Sequence, residues 1–245
     1  MLGLYIGIIL LLNIPYVQHR MSVLVAKELS TVLGSELTVG RINIGLLNRI
    51  IIDDLVLNDQ SGKELLKIGR LSAKFEILPL FSGKISIGNV QLFSFNANLE
   101  RPTPQASTNF QFVLDAFASK DTVKKKSNLD LRINSLLIRR GKVSYDVLSA
   151  ESTPGKFNPQ HIRLSNILAN ISLKALQNDS VNAAIKRMSV EEEHSGFELK
   201  KLSLKIIAND RKMRIENFAI DLPNTSLAMD TIRMEYDSLE SLGHF

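Results

Sequence analysis

The sequence predicts a mostly β protein: an N-terminal transmembrane helix and an amphipathic helix, then a long, curved, antiparallel β-sheet with one short inserted helix. Two observations predict this fold class. From Ser35 onward, apolar residues recur with a period of two, which is typical of half-buried strands. One eight-residue pattern of apolar positions also recurs along this region. Since few stretches have helical spacing, strands have to form most of the core.

The composition excludes several classes of function. The 245 residues include no cysteine, so the chain has no disulfide, thiol nucleophile or cysteine metal site. The net charge of +5 is mildly basic and permits contact with anionic lipid or nucleic acid. Tryptophan is absent and aromatic residues make up only 6%, so the basic stretches lack the stacking platforms of single-strand binders. We therefore expect no nucleic-acid partner.

Residues 1–17 contain no charged side chain and are predicted to be a transmembrane anchor. As a helix they span about 25 Å, at the short end of what crosses a bilayer. They lack the basic leader and cleavage site of a signal peptide, and they are apolar all round, unlike a core helix. The basic residues follow the segment, so a strict positive-inside interpretation would place the remainder in the cytoplasm. The predicted anchor residues are Leu4, Ile6, Ile8, Ile9, Leu10, Leu11 and Leu12.

Residues 18–34 are predicted to form an amphipathic helix. Pro15 precedes this segment and Gly34 follows it, as expected of a helix that stops in the left-handed conformation. The helix either packs on a core, lies at the membrane surface or plugs the end of a sheet. Its apolar residues recur at steps of three and four: Met21, Leu24, Val25, Leu29, Val32 and Leu33.

The recurring strand pattern is apolar-x-apolar-x-x-apolar-x-apolar. A β-bulge or kink at the x-x step keeps all four apolar side chains on one face, and it re-aims the strand. Gly40, Gly69 and Gly88 stand at this step, where we expect backbone freedom to be useful. The eight copies are LTVGRINI from Leu37, LKIGRLSA from Leu66, ISIGNVQL from Ile85, LRINSLLI from Leu131, IRLSNILA from Ile162, FELKKLSL from Phe197, MRIENFAI from Met213 and LAMDTIRM from Leu227.

Two sheet segments are predicted, residues 35–100 and residues 129–245, and the second is expected to continue beyond the chain. Residues 101–128 separate them as a proline-rich loop, a short helix and a lysine-rich linker. The helix is predicted from Asn109, a suitable N-cap, to Ser119.

Motifs for catalysis are absent from the sequence, and we expect no enzyme, no cofactor and no metal ion. The four histidines have no ligand spacing, and no phosphate-binding or nucleophile motif occurs. The run from Glu191 to His194 is interpreted as a solvated turn. Asp53 and Asp54 are adjacent, so they are not expected to face one pocket from a regular strand.

Little helix is available to cover the apolar face of the predicted sheet. The face either closes on itself as a sandwich or barrel, or it remains an open groove filled by lipid. The predicted lipid-lining residues are Leu71, Phe75, Ile77, Ile85, Ile87, Val90, Leu92, Ile133, Leu136, Ile138, Ile167, Ile171, Phe218 and Ile220.

From about Pro15 to Leu99, the chain resembles the N-terminal part of TamB proteins of the AsmA-like superfamily, particularly Bacteroidetes-like ones. The most specific segments are LGSELTVGRINI, IIIDDLVLND and FEILPLFSGKISIGNVQL. To Tyr236 the resemblance is one of strand style alone. Members of this superfamily are usually several times longer.

The resemblance implies a β-taco groove, in a single-pass protein of the bacterial inner membrane whose bulk lies in the periplasm. It implies phospholipid transport between the inner and outer membranes, with phospholipid and the inner membrane as partners. It also implies a link to outer-membrane biogenesis and protein secretion through an Omp85-class outer-membrane barrel protein, which would meet a region beyond this chain. The alternative is a scaffold that assembles outer-membrane β-barrel proteins through exposed strand edges, without conducting lipid.

Overall fold

The computed structural model describes residues 3, 7, 10–45, 48–75, 85–117, 129–153, 155–177, 180–209 and 211–235. The predicted mostly β fold is confirmed, because the described residues form a ten-stranded mixed sheet. Two helices lie wholly within the described residues, α1 (Pro15–Leu33) and α2 (Gln111–Phe117). The strands are β1 (Leu37–Gly45), β2 (Arg49–Asn58), β3 (Glu64–Phe75), β4 (Ile85–Arg101), β5 (Leu129–Val147), β6 (His161–Gln177), β7 (Ser180–Glu192), β8 (Phe197–Asn209), β9 (Lys212–Asp221) and β10 (Ser226–Glu235).

All ten strands belong to one sheet, in which their spatial order equals their order in the chain. Neighbouring strands are antiparallel except β4 and β5, which are parallel, so the prediction of an antiparallel sheet is wrong at this pair. Parallel neighbours need a crossover connection of a dozen or more residues. Residues 102–128 make that crossover, and they contain α2.

The two helices share a small core with the first strands of the sheet. Buried leucines of α1, β1, β2 and β3 form its centre: Leu33, Leu37, Leu57 and Leu65. Leu99 of β4 and Val113 of α2 pack against this cluster, which is therefore the place where the crossover helix meets α1.

The helix boundaries differ from the predicted ones in two details. Helix α1 begins at Pro15, a residue suited to a first turn because its missing N–H has no helical partner there. It ends at Gly34, which is left-handed with φ of 64° as predicted. Asn109 is not the cap of α2, because its side chain bonds β4 instead: Nδ2 donates to the Asn98 carbonyl at 3.1 Å, and Oδ1 accepts from the Glu100 N–H at 3.0 Å.

Four of the predicted anchor residues, Leu4, Ile6, Ile8 and Ile9, lie outside the described residues. Residues 10–12 are helical, and Leu10 and Leu11 are 67% and 58% exposed. Within the described part of the chain, no helix has the length and apolar character needed to span a membrane.

Candidate functional site: an apolar face crossed by a crease

The strand register places the repeated apolar positions on one side of the sheet. Residues paired across two strands share a face, and successive residues alternate between faces. The pairs Ile42↔Ile52 and Ile52↔Leu71 therefore connect β1, β2 and β3 on one face, and the pair Leu71↔Leu92 extends it to β4. The pairs of the later strands continue this face to β10. There, Met229 lies opposite Phe218 of β9. We call it the apolar face, and the opposite side the polar face.

Left-handed residues interrupt the strands where the apolar pattern slips by one residue. Five non-glycine residues within the strands have positive φ: Asp54, Ser94, Arg140, Asn166 and Asn217. Each lies at or beside an interruption of the regular pairing. Asp54, Ser94, Arg140 and Asn166 lie at a similar height in the sheet, and we call this line the crease. Asn217 lies away from it, because Glu216 beside it is level with Ser135, five residues from Arg140. The pairing changes register, as at a β-bulge, beside Arg140, Asn166 and Asn217, and a bulge bends its strand and tightens its twist.

Gly40 and Gly69, at the crease, were predicted to supply backbone freedom, but the structure gives them a different role. Gly40 and Gly69 do not have positive φ. A Cβ at Gly40 would lie 3.0 Å from the Asp54 Cβ, and one at Gly69 would lie 3.3 Å from the Ser94 Cβ. In both cases the left-handed residue, Asp54 or Ser94, is on the neighbouring strand. The glycine has no Cβ and so leaves space for the side chain of that residue.

The structure brings most of the predicted lipid-lining residues together on the apolar face. Those with described side chains there are Leu71, Val90, Leu92, Leu136, Ile138, Ile167, Ile171, Phe218 and Ile220. For four others, only the backbone is described within β3, β4 or β5: Phe75, Ile85, Ile87 and Ile133. Ile77 lies outside the described residues.

Exposure divides the apolar face into covered and accessible positions. Ile167 is 8% exposed, whereas the other lining residues with described side chains are partly exposed, Ile138 and Phe218 among them. Closely packed core residues would be buried throughout. Among the described residues, the helices pack at the β1–β4 end and none packs closely on the apolar face of β5–β10. The face therefore offers apolar surface that the described elements leave partly open.

Sequence reasoning missed Gly141, which lies beside the crease. It pairs with Ile167 on the apolar face, and a Cβ there would overlap the Phe95 ring of the neighbouring strand. The ring thus lies directly over the glycine backbone. A glycine inside a predicted strand was the available signal, because such glycines often mark a close approach.

Replacing Gly141 with alanine is expected to destabilise the protein by about 1–3 kcal/mol, because the new methyl group forces the Phe95 ring aside. The measurement is urea unfolding. Gly45→Ala is the matched control, since its new Cβ meets its nearest neighbours at an ordinary 3.5 Å. A Gly141→Ala, Phe95→Leu double variant should recover part of the loss. Equal effects of the two single glycine variants would contradict this account.

The charged residues at the strand ends stabilise turns. Both nitrogens of His161 face acceptors: Nδ1 lies 2.9 Å from Asp146 Oδ1, and Nε2 lies 3.0 Å from the Ala150 carbonyl. These two hydrogen bonds raise the pKa of His161, because a ring that satisfies both acceptors is protonated. Arg163 pairs with the other Asp146 oxygen at 2.8 Å. Together, these contacts of His161, Asp146 and Arg163 stabilise the β5–β6 connection.

Two interpretations of acidic residues were wrong. In the run from Glu191 to His194, Glu191 and Glu193 are exposed as interpreted, but Glu192 between them is 2% exposed and accepts hydrogen bonds within the β7–β8 turn. Asp53 and Asp54 do line one depression, because Asp54 has a left-handed backbone with φ of 55° and the strand is not regular there. Asp53 pairs with Arg70 at 2.6 Å. In the described part of the chain, no three metal-ligating side chains are grouped to hold an ion.

Comparison with known proteins does not assign the chain to a family. No protein-family model matches the sequence, and no curated protein shows significant similarity to it.

Proposed function

We propose that the sheet bends at the crease into an apolar groove that binds the acyl chains of phospholipid. The protein is then a periplasmic bridge anchored in the bacterial inner membrane. It carries phospholipid between the inner and outer membranes in the manner of TamB proteins, and it has no catalytic role. The observation that carries the proposal is the partly exposed apolar face, which extends over the described parts of the sheet and is crossed by the crease.

Local kinks and bulges bend strands, and an aligned series of them bends a sheet along one line. A bend toward the apolar face accounts for residues that are buried although no described helix covers them. Ala169 and Leu199 are 3% and 8% exposed, yet both lie beyond the strands where α1 and α2 pack. In a bent sheet, the two halves of each strand shield each other near the crease. Residues farther out stay accessible to a ligand.

Acyl chains suit such a groove. Each methylene that leaves water contributes roughly 0.8 kcal/mol, so a chain lying along several strands is held strongly without any specific contact. The charged residues of the strands stand mainly on the polar face, as the pair Asp53↔Arg70 illustrates. A hydrocarbon chain on the apolar face therefore contacts few charged groups that would have to be desolvated.

The experiment compares two neighbouring residues of β5. Ile138 lies on the apolar face opposite Leu92, and Leu137 lies on the polar face opposite Gln91, and both are partly exposed. A photocrosslinking residue at Ile138 is expected to form adducts with phospholipid during expression, and one at Leu137 is not. Ile138→Asp should remove adducts from a crosslinker at Leu92, because a carboxylate in an apolar groove is costly to desolvate.

A thermal melt keeps the test independent of folding. In an open groove the carboxylate that Ile138→Asp introduces reaches water, so this variant should melt close to Leu137→Asp. A closed core predicts that Ile138→Asp alone unfolds the domain, because a buried unpaired charge exceeds its stability. Unfolding of that variant without lipid adducts at wild-type Ile138 would refute the groove.

The second candidate function is assembly of outer-membrane β-barrel proteins, and the β10 edge favours it. Among the described residues no strand pairs with the outer edge of β10, and Leu227, Met229 and Met234 are 46%, 40% and 42% exposed. Such an edge accepts an added strand. Crosslinks from β10 to unfolded outer-membrane proteins, without lipid adducts at Ile138, would select this function over lipid transport.

A further inference from the structure

At the crease, two adjacent positions of each of the strands β1 to β5 face the polar side of the sheet. On β3, Ile68 and Leu71 belong to the apolar face, so Gly69 and Arg70 between them lie on the opposite side. On the first three strands, two arginines balance two aspartates, whereas the arginine pair of β5 has no acidic counterpart on β4. From β1 to β5 the pairs are Gly40-Arg41, Asp53-Asp54, Gly69-Arg70, Phe93-Ser94 and Arg139-Arg140.

The excess of positive charge extends along the middle of β3, β4 and β5. Residues 65–75, 85–99 and 131–145 contain no aspartate or glutamate. Lys67 and Lys142 pair with Asn96 of β4 from its two sides, and Arg70 and Arg139 pair with Phe93 in the same way. Basic side chains therefore flank β4 on the polar face, and such a field attracts anions. The basic residues of these three stretches are Lys67, Arg70, Lys74, Arg132, Arg139, Arg140 and Lys142.

A depression of about 350 Å³ lies in this basic region. Arg70 and Arg140 line it from the two sides of β4, and Ser94 stands between them on the crease. Within the described part of the chain, the terminal nitrogens of Arg70 and the guanidinium of Arg140 have no acceptor, and the Ser94 hydroxyl has no partner. The depression is thus lined by donors that no protein group satisfies. Its full lining is Asp53, Gly69, Arg70, Phe93, Ser94 and Arg140.

The two aspartates of β2 leave the charge of the β5 arginines uncompensated. Asp53 Oδ1 accepts a hydrogen bond from Arg70 Nε at 2.6 Å, and Asp53 Oδ2 accepts one from Asn43 Nδ2 at 3.4 Å. This pairing holds the Arg70 side chain by Nε and leaves both of its terminal nitrogens able to donate to a ligand. Asp54 lines the neighbouring depression, together with Arg41.

Arg140 is held in a backbone conformation that costs free energy. Its φ is 55°, and the other left-handed residues of the crease, Asp54, Ser94 and Asn166, are all short and polar. Aspartate and asparagine tolerate this conformation because their side chains hydrogen-bond locally, which an arginine side chain does not do. Residues held in costly conformations are frequent at ligand sites. Position 140 therefore serves through its guanidinium rather than through its backbone.

We propose that this depression binds a phosphate monoester between Arg70 and Arg140. A guanidinium offers parallel N–H donors that match phosphate oxygens, and a monoester carries nearly two negative charges at neutral pH, one for each arginine. The Ser94 hydroxyl donates a further hydrogen bond. A phosphate group fills only part of the depression, and the rest of the ligand lies against the Phe93 ring. The site is on the polar face, so it does not depend on the proposed groove.

The first test measures binding of glucose 1-phosphate to the full chain in nonionic detergent by titration calorimetry. Arg140→Asn should weaken binding about tenfold or more, because hydrogen bonds between charged groups are lost. The same change should keep or raise the melting temperature, since asparagine adopts the left-handed conformation more readily. Arg233→Asn is the matched control, because Arg233 is exposed on β10 and its backbone is not left-handed. This control should leave binding unchanged, and its melting temperature should not rise.

The second test asks where the phosphate comes from. Dihexanoyl phosphatidic acid, a lipid phosphate monoester, and inorganic phosphate are titrated in the same way. Tighter binding of glucose 1-phosphate would support the site with a soluble phosphorylated sugar as its ligand, and tighter binding of the lipid would support it with a headgroup. Inorganic phosphate should bind more weakly than either, since it has no part that contacts Phe93.

Three results would overturn the phosphate site. The first is that none of the three ligands binds to the wild-type chain. The second is an equal loss of binding in Arg140→Asn and Arg233→Asn, which would mean a general attraction of anions to a basic protein. The third is a lower melting temperature of Arg140→Asn, which would make Arg140 a structural residue.

Discussion

Replacing Glu192 with glutamine is expected to lower the free energy of unfolding by about 3 kcal/mol at neutral pH. The Glu192 carboxylate is buried and accepts hydrogen bonds from the N–H groups of Arg163 at 3.2 Å, His194 at 3.3 Å and Ser195 at 2.7 Å. The Ser195 hydroxyl adds a fourth at 2.5 Å. A glutamine turns its amide N–H₂ toward some of these donors, so buried groups lose their acceptor.

Glu192 also makes the free energy of unfolding depend on pH in the acid range. Burial opposes the charge of Glu192, but the hydrogen bonds from Ser195, Arg163 and His194 outweigh it and lower the pKa from 4.5 to about 2. A lowered pKa stabilises the fold above the unfolded value, and this stability is lost as pH falls from 4.5 toward about 2. At about 1.4 kcal/mol per pKa unit, the lowering from 4.5 to about 2 corresponds to the loss of about 3 kcal/mol that is expected at neutral pH.

Urea unfolding at pH 7 and pH 3 checks both statements. Glu193→Gln is the matched control, because Glu193 is exposed and adjacent, and it should change stability by less than about 0.5 kcal/mol. The difference between the Glu192→Gln variant and the wild type should be smaller at pH 3. An unchanged difference at the two pH values would exclude the carboxylate as its source.

Replacing Leu65 with alanine is expected to cost about 2–5 kcal/mol, because Leu65 is 0% exposed at the centre of the cluster beneath both helices. Leu148→Ala removes the same atoms from a side chain that is 58% exposed, and it should cost far less. Hydrogen exchange adds a specific readout. The Leu65→Ala variant should lose protection first in α2 and at the Leu33 end of α1, and protection in β8 should persist. Uniform loss along the sheet would contradict a local role for the cluster.

The apolar face could be predicted from the sequence because it depends on side-chain alternation alone. The pattern IRLSNILA places Ile162, Leu164, Ile167 and Ala169 on one side if a kink falls between Leu164 and Ile167, and Asn166 has the left-handed φ of 51° there. The kink was predictable from local chemistry. The neighbour that accommodates it was not, because that residue lies on another strand.

The parallel pair of β4 and β5 was missed for a different reason. Alternation gives the face of a strand but not its direction, and both directions satisfy the same apolar pattern. The length of the 102–128 connection was the only available indication, since a hairpin needs a few residues and a crossover needs many. Glu192 was missed because burial of a carboxylate depends on the turn that closes over it. The sequence Glu191-Glu192-Glu193 gives no sign that the middle residue is enclosed.

The sequential strand order makes the sheet a one-dimensional array. Each strand is paired only with its sequence neighbours, so the free energy of the array is approximately a sum of strand terms and nearest-neighbour terms. Its two ends are unequal, because α1 bonds the outer edge of β1, whereas among the described residues no element bonds the outer edge of β10. Among the described strands, fraying is therefore expected to start at β10 and to advance strand by strand toward β1. A hairpin grafted onto β10 would lengthen the array without disturbing its beginning, provided each new strand has its kink at the same height.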